Sequence, residues 1–186
     1  MPVNPKRSLP LLAVVGLLAP PVLGFLHPRA QVARPLTDDE KPTLTKVYVN
    51  MPSLPVSTLT SVATDVVRGR VVDMRGVIPE TGIAYTEVYL DVSWALKGMS
   101  QNHLTVHVPG VADKLNPTIV ERAPKLSVGD DVLLFLLLDD ESGAIGIFGL
   151  DEGVYRITKD RWGRELVNGK EAQGLEISAF IDRLGK

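Results

Sequence analysis

The chain predicts a mainly β domain, a small closed or partly open barrel or a sandwich, with a short helix before the strands and another at the C-terminus. Three observations carry that expectation. A β-branched run opens at Val66, residues 85–96 alternate polar and apolar side chains, and glycine- or proline-marked turns recur to the end of the chain. Many short strands with one terminal helix then favour a sheet closed on itself or packed on a second sheet.

The elements follow in order. Lys6 and Arg7 form a basic start, residues 9–23 an apolar stretch broken by Pro10, Pro20 and Pro21, and Val22-Leu23-Gly24 a small-residue cleavage pattern. Residues 1–24 therefore read as a signal peptide, since the stretch is shorter than the ~20 residues of a membrane-spanning helix. The expected location is exported, secreted or periplasmic, with no stable membrane anchor after cleavage. Residues 25–46, with Pro28, Pro35 and Pro42, read as a proline-rich linker or arm, and residues 47–186 as the barrel domain with its C-terminal helix. A short helix is expected over residues 53–63, where Leu54, Leu59 and Val62 share a side.

Strand signals take over at Asp65. Residues 65–72 are β-branched with Gly69 inside, which predicts a bulge or a sharp bend. Residues 85–96 put Tyr85, Glu87, Tyr89 and Asp91 on one face and Val88, Leu90 and Val92 on the other. Residues 103–108 alternate again, followed by a long loop to Pro124. Residues 132–138 form the most apolar run after the signal segment and predict a strand buried on both faces. Residues 145–150 and 154–158 predict two strands joined through Asp151-Glu152-Gly153, and Asn168-Gly169 predicts a type I′ turn after residues 165–167. Leu175, Ile177, Phe180, Ile181 and Leu184 form the last helical stripe.

These segments carry a resemblance. The run Asp65-Val66-Val67-Arg68-Gly69-Arg70-Val71-Val72, the strand end Trp94-Ala95-Leu96-Lys97-Gly98, Thr105-Val106-His107-Val108-Pro109-Gly110 and Val128-Gly129-Asp130-Asp131-Val132-Leu133-Leu134-Phe135-Leu136 resemble a group of exported bacterial proteins. Their domain is similar to the OB-type barrel of netrin modules and tissue inhibitors of metalloproteinases. The likeness spans about residues 62–160 and implies an OB-like (TIMP/netrin-like) closed or partly open β-barrel, with a binding role rather than a catalytic one. The animal inhibitors approach the protease zinc through an N-terminal cysteine, which this chain lacks.

Composition and motifs narrow the function classes. The absence of cysteine excludes disulfides, thiolate metal sites, a thiol nucleophile and a lipid-modified cysteine anchor. Without Lys6 and Arg7, 18 basic residues face 22 acidic ones, a net charge of −4 that suits nucleic-acid partners poorly. His103 and His107 sit four apart on a strand, about 13 Å at ~3.3 Å per residue, too far apart to share one metal ion. The acidic groups Asp130-Asp131, Asp139-Asp140-Glu141 and Asp151-Glu152 stand beside turn glycines and read as solvated turn residues. Neither a Gly-x-Ser-x-Gly elbow, a Ser-x-x-Lys pair nor a phosphate-binding glycine loop is present. The expectation is a cofactor-free, non-enzymatic binding domain for a protein partner, with an extracellular protease as one such partner. Met74, Val77, Ile78, Pro79 and Ile83 are the expected contact residues, since an apolar loop that no core demands suggests a partner surface. Tyr85 and Tyr89 join them, and would carry the alternative of a glycan or cell-wall ligand. A hydrolase assembled from scattered residues, or a structural envelope component, are the remaining alternatives.

Overall fold

The computed structural model describes residues 44–80, 82–98, 101–112 and 117–185. The expected signal peptide and all of the expected linker before Leu44 lie outside the described residues. The elements are β1 (Thr45–Val47), α1 (Val56–Val62), β2 (Asp65–Val77), β3 (Tyr85–Lys97), β4 (His103–Pro109), β5 (Thr118–Val120), β6 (Asp131–Leu138), β7 (Ile145–Ile147), β8 (Val154–Lys159), β9 (Glu165–Gly169), β10 (Ala172–Glu176) and α2 (Ile177–Leu184).

The domain is mainly β and built on a closed five-strand barrel, compatible with an OB-like barrel. The ring runs β6-β2-β3-β4-β7 and back to β6. All its pairs are antiparallel except β4–β7, which meet in parallel at one position, His107 opposite Gly146. One edge of β6 is shared by two partners: residues 132–134 pair with β8 and residues 136–138 with β7. The strands β8, β9 and β10 continue the sheet outward, away from the ring. Apart from this sheet, β1 and β5 form a parallel two-stranded pair.

Because β6 is wrapped on both sides, its alternate residues serve two cores. Val132, Leu134 and Leu136 point into the barrel with Val67, Val88, Leu90, Val106 and Ile147. Leu133 and Phe135 face outward into a second core with Tyr155, Val167, and Leu59 of α1 and Phe180 of α2. The whole of residues 132–136 is buried, as the apolar run predicts. The bend expected at Gly69 is present as a register shift between Arg68 and Gly69 against β3. A Cβ at Gly69 would stand 2.9 Å from the Asp91 carbonyl oxygen, so the close strand approach requires glycine.

Several boundaries differ from expectation for local reasons. The first helix begins at Val56 rather than at residue 53, because Pro55 disfavours the helical conformation at Leu54 and itself serves as the extended N-cap. The strand expected to stop at Val72 runs on to Val77, held by pairing with β3 through Val77 opposite Tyr85. The turn expected at Asn168-Gly169 lies two residues later, at Lys170-Glu171, since Gly169 pairs with Ala172. Gly169 is required for another reason: a Cβ there would come within 2.3 Å of the Tyr155 ring. Leu175 belongs to β10, opposite Val167, and the remaining stripe forms α2.

Candidate functional site

The end of the β2–β3 hairpin brings some of the sequence-picked residues together and separates others. Ile78 and Ile83 remain 55% and 53% exposed, and neither belongs to either core. With Pro79 they frame a hollow of about 230 Å³ whose far wall is Thr45 and Val47 of β1. Ile83 also forms the lip of a second hollow of about 530 Å³, lined by Val47, Val49, Met51, Leu137, Ile147 and Phe148 among others. Met74 leaves this group. It turns inward, packs against the barrel core and borders a third hollow of about 640 Å³ with Val111 and Leu126. Val77 lies half-buried on β2, not on a loop.

Tyr85 and Tyr89 share the outer face of β3 but have separate partners. The Tyr85 ring stacks on His107 of β4, with centroids 4.5 Å apart and planes inclined by 27°. The Tyr89 hydroxyl donates to Glu87 Oε2 at 2.7 Å. That bond, with burial, holds the Tyr89 phenol above its ordinary value. His103 pairs instead with Asp91, at 2.8 Å on the exposed surface. The two strand histidines thus have different partners. Trp162, 64% exposed at the β8–β9 turn, lies under the guanidinium of Arg161 at 3.8 Å from its ring centroid.

Two charge clusters were not foreseen. Glu152 stood in the sequence among solvated turn residues, and the structure corrects this: it is 2% exposed. Its Oε2 accepts the Leu54 backbone N–H at 2.6 Å, and its Oε1 accepts Arg122 at 2.6 Å and Lys170. Burial alone would raise the Glu152 carboxyl, but Lys170, the Leu54 N–H and Arg122 outweigh it and hold the carboxyl below its usual range. Arg122 further donates to the Met51 carbonyl at 2.9 Å, and Lys170 Nζ to Ser53 Oγ at 2.7 Å. The second cluster is Arg68, which grips Asp131 and Glu165 together. Neither cluster was legible locally, since the partners stand 18 to 98 residues apart in the chain. By contrast Asp139 behaves as a turn residue should, accepting Ser142 Oγ and the Glu141 N–H.

The arrangement therefore offers one exposed apolar lip beside β1, an outer strand face whose aromatic groups are engaged internally, and a buried carboxylate that ties several loops together. No family model matches the chain, and neither does any curated protein or solved structure.

Proposed function

We propose that the chain is an exported, non-enzymatic binding domain that engages a protein partner through Ile78, Pro79 and Ile83, and that its barrel is of the netrin/TIMP-like kind. One observation carries the reading. Two isoleucines stand more than half exposed around a hollow, and neither belongs to either core. Exposing β-branched apolar side chains at a loop tip gains nothing for folding, whereas a partner covering them recovers about 25 cal/mol per Å² of apolar surface. Binding to an extracellular protease is the form of this role that the barrel resemblance suggests. The glycan alternative is less supported, because Tyr85 and Tyr89 are half-buried and already engaged by His107 and Glu87.

The test is capture from the native secretome with the chain from Phe25 as bait, followed by mass spectrometry and a protease assay on what is retained. Replacing Ile78 and Ile83 together by Asp should reduce the captured partner at least tenfold without lowering the thermal midpoint. Equal capture by the double variant would sink the assignment of this lip.

A further inference from the structure

Residues 45–54 run to α1 beside the barrel, and among them only Leu54, half-buried against the second core, packs on a core. Their only strand, β1, pairs with β5, which has three residues and no partner in the main sheet. Tyr48 is 77% exposed, and none of residues 45–53 belongs to either core. Val47, Val49 and Met51 turn toward the 530 Å³ hollow, whose opposite wall includes Leu137, Phe148 and Leu150. Backbone bonds tie the β1 end, from the Thr45 N–H to the Pro117 carbonyl and from the Glu121 N–H to the Val47 carbonyl, and side-chain bonds tie the α1 end. Leu54 N–H, the Met51 carbonyl and Ser53 Oγ bond to Glu152, Arg122 and Lys170 respectively.

Those three charged groups stand on the far side of the contact, and they bond to one another. Glu152 is paired with both Arg122 and Lys170. If residues 51–54 departed, the charges would keep their partners, and only neutral groups would exchange a protein partner for water. Such an exchange is cheap compared with stranding a buried charge. Arg122 itself holds a positive φ of 62, a conformation disfavoured for a non-glycine residue and retained where surroundings over-determine it.

We propose that residues 45–54 form a strap that releases from the barrel as a unit, with Glu152 as its clasp. Release removes Val47 from the wall facing Ile78 and Ile83 and uncovers Phe148 and Leu150, so the strap sets the shape of the partner surface. That consequence rests on the partner-binding reading; the release itself rests on the geometry alone. Segments with few buried apolar contacts open by local fluctuation, without global unfolding.

Native-state hydrogen exchange of the full chain tests it. The amides of Thr45 and Leu54 are both bonded, to the Pro117 carbonyl and to Glu152. They should exchange at least tenfold faster than bonded amides of β2, β3 and β6, and with a much weaker dependence on denaturant. Glu152→Gln, which touches only the Leu54 end, should then speed exchange at Thr45 at least tenfold as well. Exchange at Thr45 and Leu54 only through global unfolding would overturn the strap. An unchanged Thr45 in Glu152→Gln would overturn its release as a unit. If that variant does not fold, the wild-type exchange still decides. Failure to capture a partner bears on the binding reading alone, because no partner enters this experiment.

Discussion

Arg68 lies on the outer face of β2, and its guanidinium spans two carboxylates. Nε and Nη2 donate to Asp131 at 3.0 and 2.8 Å, and Nη1 and Nη2 to Glu165 at 2.7 and 2.8 Å. The hydrogen bonds that Arg68 donates to Glu165 and Asp131 outweigh burial and hold the guanidinium above its already high ordinary value, and Arg68 in turn holds the Glu165 carboxyl low. Planar five-donor geometry makes this double fork specific to arginine. Breaking a fully buried pair from one side costs ~3–5 kcal/mol. Asp131 and Glu165 keep side-chain exposures of 22% and 29%, so solvent reduces the penalty. Arg68→Ala should therefore destabilise by about 2 kcal/mol in urea unfolding, and Arg68→Lys should restore less than half of that. A loss below about 0.5 kcal/mol for Arg68→Ala would place the cluster with ordinary surface pairs.

At the scale of elements, the segment from β7 to β8 shows how one strand edge serves two partners. The chain pairs with β6 through β7 and the Phe148 N–H, passes Gly149 at φ 82, makes a 3-10 turn over Leu150–Gly153, and returns to β6 as β8. Gly153 makes the return possible, since a Cβ there would lie 1.9 Å from the Phe148 carbonyl oxygen. Backbone cannot move aside as a flexible side chain can. Gly153→Ala is expected to cost on the order of 2–4 kcal/mol by thermal or urea unfolding. Gly129→Ala is the contrast: φ is +96 but nothing lies within 4 Å, so only the local strain of about 1 kcal/mol applies. Equal losses at both sites would refute the steric account. The same comparison shows where sequence reading stops. Period and turn residues revealed β2, β3, β4, β6, β8 and α2, because burial on one or both faces writes itself into local pattern. They did not distinguish a turn glycine from a contact glycine, and so Gly169 was misplaced. They also missed β1 and β5, whose three residues each are strands only because the other is present. At the site, Ile78 and Ile83 were visible as apolar residues without a core, whereas Glu152 looked like any Asp-Glu-Gly turn until Arg122 and Lys170 closed over it.

For the whole molecule, the titrating groups define a plateau of stability with an acid and an alkaline edge. Among the described residues, four carboxyls are held below their usual values in the fold. Glu165 is lowered by Arg68, and Asp139 by Ser142 and neighbouring N–H groups. For Glu152 and Asp160 burial pushes upward but is outweighed, by Lys170 and its companions and by Arg164 and two backbone N–H groups. Each therefore binds fewer protons folded than unfolded, so its stabilisation is complete above the unfolded values of about 4 and is lost as pH falls through the folded ones. The tyrosines work in the other direction. Burial, with the nearby Glu171 and Glu152, pushes the Tyr155 phenol up to about 12, and Tyr89 is raised by Glu87. A raised phenol contributes stability that is present below the unfolded value of about 10 and is lost as pH rises toward the folded one. The thermal midpoint should thus be flat from about pH 5 to 9 and fall on both sides. Tyr155→Phe separates the two edges. It removes a phenol whose ring packs against Phe135 and Phe180 while keeping that packing, so the midpoint at pH 7 should drop only modestly. Between pH 10 and 12 the variant should lose less of its own plateau stability than the wild type, with the acid edge unmoved. An alkaline fall as steep in Tyr155→Phe as in the wild type would show that other groups, not the buried phenol, set that edge.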